Sequence, residues 1–262
     1  MHLNYELRGP EDAIPILLLH ELGGSSASWQ WIDPELEGRF RRILVDMPGS
    51  GKSPLLGDKM SLDEIAACLV DLLDSLSIKQ INVAGVAYGA IVAAYLAGLY
   101  PDRVSAVMLV AIGTHISNTV AEYVRNRAKQ VEEHGMGLVV DYSLKSSFPE
   151  GFSETYPDKF KAYRDIFTAN HPHHYAVVSR AIADAGATLT DRIKSIRSTA
   201  AVAGGQHDPT FTPEVLREVG CLLTPPVAPV AISGAGHFPQ IQAPQELAKL
   251  MLRFFTEHKP LG

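Results

Sequence analysis

Gly85-Val86-Ala87-Tyr88-Gly89 follows the apolar run Gln80 to Ala84 and precedes Ala90-Ile91-Val92-Ala93-Ala94-Tyr95-Leu96-Ala97. The first run reads as a buried strand and the second as a helix, so the pentapeptide is a sharp strand-to-helix turn. Its form is that of a nucleophile elbow, in which the central side chain stands on a strained turn. The residues around it must be small so that strand and helix can approach closely. The centre of this turn is Ala87, whose methyl group cannot attack a carbonyl. A Gly-x-x-x-Gly spacing also occurs wherever a loop enters a helix, so the rest of the chain has to decide between the two readings.

Composition narrows the choice. The chain has 262 residues, 46% hydrophobic and 20% charged, enough for a large core in one α/β domain with an insertion. A net charge of −6 leaves no basic footprint for nucleic acid. No apolar run approaches the roughly 20 residues needed to cross a bilayer, so no membrane partner is expected. Cys68 and Cys221 are the only cysteines, and the start Met1-His2-Leu3-Asn4-Tyr5-Glu6 lacks the apolar core of a signal peptide. A cytoplasmic location and small-molecule partners are the expectation. A homodimer is compatible with this composition, which does not fix the oligomeric state.

Short apolar runs alternate with amphipathic segments, the pattern of an α/β fold with a mostly parallel central sheet and helices on both faces. Strands are expected at Ile14 to Leu19, Arg42 to Asp46, Gln80 to Ala84, Val104 to Ala111, Thr199 to Ala203 and Val227 to Ile232. Ser61 and Glu64 form a capping box for a helix with the apolar stripe Ile65, Leu69, Leu72, Leu73 and Leu76. Pro213 and Pro244 mark two further helix starts. The alternation breaks once, between Gly113 and Arg197, where aromatic residues recur at helical spacing. Residues 113–197 are therefore read as a helical cap inserted in a core formed by 1–112 and 198–262.

Two loops carry chemistry at strand ends. His237 lies in Gly234-Ala235-Gly236-His237-Phe238-Pro239, after the last strand, from which an imidazole can reach toward residue 87. Asp208 lies in Gly204-Gly205-Gln206-His207-Asp208-Pro209, after the preceding strand, where its carboxylate can orient the ring and stabilise the imidazolium. A histidine in a loop is most often structural. The order elbow, acid, histidine, each at a strand's carboxyl end, is the order expected for acyl transfer on such a sheet. Leu19-His20-Glu21-Leu22-Gly23-Gly24-Ser25 ends another strand, and the backbone N–H groups of Leu22 and Tyr88 are candidates for an oxyanion hole.

With these motifs in hand the chain resembles an α/β-hydrolase along nearly its whole length. Asp46-Met47-Pro48-Gly49-Ser50-Gly51-Lys52-Ser53 resembles the family's D-x-[RP]-G-x-G-x-S turn, and Ala235-Gly236-His237-Phe238-Pro239 its histidine loop. A phosphate-binding loop would need glycine where this chain has Asp46, so nucleotide binding is not expected. His171-Pro172 through Tyr175, Ala181 to Ala185, and Asp191-Arg192-Ile193 resemble the cap end of 3-oxoadipate enol-lactonase and carboxylesterase relatives. The resemblance implies a small ester or lactone as substrate and no cofactor. No metal is implied either, because adjacent histidines such as His173 and His174 on a helix start point in different directions. Candidate pocket residues are Glu21, Phe148, Phe160, Phe167, Tyr175, Phe238 and the side chain of Tyr88, with core packing the commoner role for such aromatics.

Two departures from the family pattern matter. Glu21 follows His20 where the family has glycine. Facing the pocket it would oppose an oxyanion or act as a second acid/base group, and for want of a recognisable partner it is expected to point outward. His20 is expected to support the turn. The other departure is Ala87, and three readings stay open. A parental serine has been replaced, leaving acid and histidine intact. Alternatively the alanine is natural, as in the resemblance of residues 85–92 to aminoacrylate hydrolase relatives, and His237 activates water or protonates a labile substrate. In the third, the chain is a non-catalytic binding protein.

Overall fold

The computed structural model describes residues 2–258 and 260. The chain runs β1 (Tyr5–Arg8), β2 (Ile14–Leu19), β3 (Phe40–Val45), α1 (Leu62–Ser75), β4 (Ile81–Val86), α2 (Tyr88–Leu99) and β5 (Val104–Val110). Helices α3 (Asn118–His134), α4 (Gly137–Ser147), α5 (Phe152–Thr155), α6 (Pro157–Thr168), α7 (Pro172–Ala185) and α8 (Thr188–Lys194) follow. The sheet then resumes with β6 (Thr199–Gly205), α9 (Pro213–Leu222), β7 (Val230–Ile232), α10 (Pro239–Gln242) and α11 (Pro244–Thr256). The seven strands form one sheet in the order β1-β3-β2-β4-β5-β6-β7, parallel throughout except for β1 against β3.

Buried strands alternate between two apolar layers. Leu17, Leu19, Val83, Val107 and Leu109 face the layer of α1, α2, α8 and α9. Ile16, Leu18, Val86, Met108 and Val110 face Trp29, Phe40, Met251, Phe255 and the aromatics of the inserted helices. Each fully buried aliphatic side chain contributes about 1.5–3 kcal/mol. Helix α2 is buried on all sides from Tyr88 to Ala97, which suits a helix packed between a sheet and its neighbours. The expected capping box closes α1: Ser61 N–H donates to Glu64 Oε2 at 2.7 Å and Glu64 N–H donates to Ser61 Oγ at 3.2 Å.

Three expectations shift. Strand β1 is absent from the sequence reading because its apolar residues, Tyr5 and Leu7, lie exposed on an edge and show no burial pattern. Strand β7 starts at Val230 and not Val227, since Pro229 has no N–H for the ladder. Between β5 and β6, α8 leaves the other inserted helices and packs on α2, with Arg192 over the Tyr95 ring and paired to Asp63 at 2.7 Å.

Ala87 joins β4 to α2 with φ 51° and ψ −112°, a conformation that costs a non-glycine residue on the order of 1–3 kcal/mol. Two glycines make it obligatory. A Cβ at Gly89 would stand 2.0 Å from the Leu19 carbonyl oxygen, and one at Gly85 would stand 2.1 Å from that of Gly89. Gly89→Ala is therefore expected to destabilise the fold by about 2–3 kcal/mol, the cost of forcing helix and strand apart. Ala87→Gly is expected to stabilise it by about 1 kcal/mol through relief of strain. Urea unfolding midpoints check both, and a neutral Gly89→Ala would contradict the close approach.

Candidate functional site

The two loops that follow β6 and β7 are bound to each other before any side chain meets. His207 N–H donates to Ala235 O at 2.9 Å and Gln206 N–H donates to Ile232 O at 2.9 Å. A Cβ on Gly205 would lie 2.0 Å from Gly236 O, so glycine there lets the loops touch. From this base the Asp208 Oδ2 accepts a hydrogen bond from His237 Nδ1 at 2.9 Å. Asp208 Oδ1 is held by Thr210 N–H at 2.9 Å and Phe211 N–H at 3.1 Å. Burial works against charge on this carboxylate. The His237 hydrogen bond, then the charge interaction with that ring, then the two backbone donors outweigh it and hold Asp208 below the ordinary aspartate value. With Nδ1–H spent on Asp208, the free lone pair of His237 is on Nε2. The ring lies flat on Phe211, centroids 5.4 Å apart, and against Phe238 at 4.7 Å.

The histidine loop is braced from two sides. Gln242 Oε1 accepts from Gly236 N–H at 2.7 Å and Phe238 N–H at 3.2 Å, while its Nε2 donates to Ser147 O at 2.9 Å. His237 N–H donates to the same Ser147 carbonyl at 3.1 Å, tying the loop to the end of α4.

Ala87, His237, Leu22 and Tyr88 border one cavity of about 320 Å3, together with Glu21, Phe167 and Phe238. Tyr88 is the first residue of α2, so its N–H lies outside the helix ladder. Leu22 sits in the turn after β2. That turn is fixed by His20, which donates from Nδ1 to Glu21 O at 2.8 Å and accepts Met47 N–H at Nε2 at 3.1 Å. It is also tied to the cap, because Asn170 Nδ2 donates to Gly23 O at 2.7 Å. The Asp46 carboxylate closes the neighbouring glycine-rich turn by accepting Ser26 N–H at 2.7 Å and Lys52 N–H at 2.9 Å.

Glu21 corrects the sequence reading. It does not point outward: it is fully buried, with Oε1 accepting Ser28 Oγ at 2.8 Å and Oε2 accepting Gln240 Nε2 at 2.9 Å. Gln240 is 219 residues away, beyond any local pattern. Gly24 leaves the space, since a Cβ there would meet Glu21 Oε1 at 2.2 Å. Three aromatics also lie elsewhere than expected. Phe148 and Phe160 border a separate cavity of about 640 Å3, where they meet edge to face at 5.5 Å, and Phe148 supports Phe238 from behind at 5.8 Å. Tyr175 packs beneath Phe167 at 5.8 Å and does not border the Ala87 cavity. The cavity wall is instead supplied by residues that spacing did not single out. They include Ile91, Ile116, Val124 and Phe211, and one cation, Arg127.

The sequence matches the α/β hydrolase fold family over residues 14–244. The chain is 28% identical over 266 residues to the dihydrolipoyllysine-residue acetyltransferase component of the acetoin cleaving system of Pseudomonas putida. That match covers 97% of this chain but 66% of its relative's length, just under two thirds. It is 24% identical to 3-oxoadipate enol-lactonase 2 of Acinetobacter baylyi, over 80% of this chain and 77% of that one. Among solved structures, the enol-lactonase from Burkholderia xenovorans superposes with a TM-score of 0.89 at 26% identity, covering 97% of this chain and 96% of that one. A seven-stranded sheet, an elbow at residue 87 and a match across residues 14–244 make this chain a member of the α/β-hydrolase superfamily of enzymes.

Proposed function

We propose that this site is that of a carboxylic ester or lactone hydrolase in which position 87 is the nucleophile position, present here without its nucleophile. One observation carries the reading: His237, held by Asp208 at 2.9 Å, borders the same cavity as a strained elbow residue that has no functional group. With serine at 87, His237 Nε2 would take the hydroxyl proton as the oxygen attacks the acyl carbon. The N–H groups of Leu22 and Tyr88 would receive the charge that develops on the carbonyl oxygen. Collapse would return the proton to the leaving oxygen, and water would repeat the sequence to free the acid. Asp208 keeps the imidazole in the required tautomer throughout. The enol-lactonase relatives support a small ester or lactone as substrate.

The inward placement of Glu21 favours a second reading, in which Ala87 is native and His237 activates water directly beside a second acid/base group. The two readings separate in the protein as it stands. If the covalent reading holds, Ala87→Ser gains at least about 10⁴-fold in hydrolysis of an activated ester and becomes labelled by a fluorophosphonate. If water activation holds, the unmodified chain turns over the ester, His237→Ala abolishes that turnover, and Ala87→Ser adds nothing.

Asp208 also links the site to pH. Its carboxyl is held below the ordinary value in the folded state, so it stabilises the fold above that ordinary value and ceases to as pH falls through the folded one. The stability difference between the unmodified chain and Asp208→Asn is expected to be full at about pH 6–7. It should shrink only below about pH 4, and urea titrations across that range measure it. A difference independent of pH would contradict the assignment of charge to Asp208.

A further inference from the structure

Asn170 joins three segments that lie far apart in sequence. It stands between α6 and α7 in the cap and is only 5% exposed. Its Nδ2 donates to Gly23 O at 2.7 Å and, over longer distances, to Ile166 O at 3.1 Å and Phe167 O at 3.3 Å at the end of α6. Its Oδ1 accepts Gly51 N–H at 3.3 Å from the glycine-rich turn after β3. The shortest of the four bonds is the one to the turn that carries Leu22.

That turn needs an outside hold. Gly24 N–H closes it on Glu21 O at 3.0 Å, and Gly23 in its middle has a φ of +83°. A Cβ on Gly23 would stand 2.4 Å from the Phe167 ring, so only glycine fits beneath that ring. Glycine also leaves the torsions at this point free unless a neighbour fixes them. One end of the turn is held within the core, where His20 Nδ1 donates to Glu21 O at 2.8 Å. A trans peptide sets its N–H opposite its C=O, so this bond aims the Leu22 N–H away from His20. The other end, the Gly23 carbonyl, is held from the cap by Asn170.

We propose that Asn170 is a positioning residue for the reaction: by holding Gly23 O it sets the turn that presents the Leu22 N–H, so the oxyanion hole is complete only with the cap seated. This rests on the ester or lactone hydrolase reading and adds to it a dependence of the chemical step on the cap. Asn170 does not border the Ala87 cavity, so its effect passes through Gly23 and falls on the transition state more than on substrate binding.

The test follows p-nitrophenyl butyrate in whichever form hydrolyses it, Ala87→Ser or the unmodified chain. Asn170→Ser keeps a hydroxyl for Ile166 O but is too short to reach Gly23 O. It is expected to lower kcat by about 10- to 100-fold, less than outright loss of an oxyanion donor, with KM kept within about twofold. Asn170→Gln, whose amide stands one methylene further out, should recover part of kcat. If Asn170→Ser fails to fold, Asn170→Gln carries the same test, a fall in kcat with KM kept. In the unmodified chain, Asn170→Ser should quicken amide exchange at Gly24 about tenfold, while Gly236 and Phe238, held by Gln242, exchange as before. A kcat that does not fall, a KM that rises while kcat holds, or an unchanged Gly24 amide would each overturn the proposal. So would faster exchange at Gly236 and Phe238 as well, the mark of a general loosening. The hydrolase reading fails separately. If neither form hydrolyses the ester, that reading falls and exchange at Gly24 decides whether Asn170 sets the turn; if hydrolysis proceeds but is indifferent to Asn170, the reading stands and the proposal falls.

Discussion

Gly89 sets the first turn of α2 against the carbonyl of Leu19 at the end of β2, with room for a hydrogen and nothing larger. That approach decides the geometry of the rest of the site. It fixes the N-terminus of α2, and with it the Tyr88 N–H, beside the turn that carries Leu22. It also leaves residue 87 no route from strand to helix except through a positive φ. The strain of about 1–3 kcal/mol is held by the pairing of β4 with β2 on one side and β5 on the other. A second approach of the same kind, Gly205 against Gly236 O, brings the acid loop to the histidine loop. Backbone contact, made possible where side chains are absent, thus gathers groups that lie as far apart in sequence as 22 and 237.

Once gathered, the buried acids of these loops are distinguished by their donors. Asp46 and Asp208 are both buried and both held below the ordinary value, because in each case hydrogen bonds outweigh desolvation. Asp46 spends both oxygens on Ser26, Lys52 and Asn4 and so closes a turn. Asp208 spends one oxygen on backbone and keeps the other for a titratable ring. The donors to Glu21, a hydroxyl and an amide, are neutral, so it enters the cavity wall without an ion-pair partner. Arg127 is the matching case of opposite sign, a guanidinium steadied by rings and not by a carboxylate.

What the sequence disclosed follows from how local each signal is. The elbow, the capping box at Ser61 and the order of residues 87, 208 and 237 are local motifs or a simple sequence of them, so spacing carried them. Strand β1 went unseen because an exposed edge has no burial pattern, and β7 was misjudged at its start because Pro229 interrupts an apolar run. Glu21 failed for a different reason. Its direction depends on Gln240, which reaches it only after the chain has folded, and on the missing side chain at Gly24. The aromatics of the inserted helices look alike in sequence. Phe167 reaches the cavity while Phe148 stands one layer behind it, and helical spacing alone cannot rank depth.

Alanine at the elbow separates what position 87 contributes by its backbone from what it contributes by its side chain. The φ is 51° with only a methyl group there, so the turn follows from Gly85 and Gly89 and needs no bond from a hydroxyl. The tautomer of His237 is likewise set from behind, by Asp208, and the loop that carries the ring is set by Gln242 and Ser147. Neither depends on the identity of residue 87. The recognition groups therefore stand in position whether or not covalent chemistry follows. The cavity walls and the loops behind them are thus built independently of the atom at the centre of the elbow.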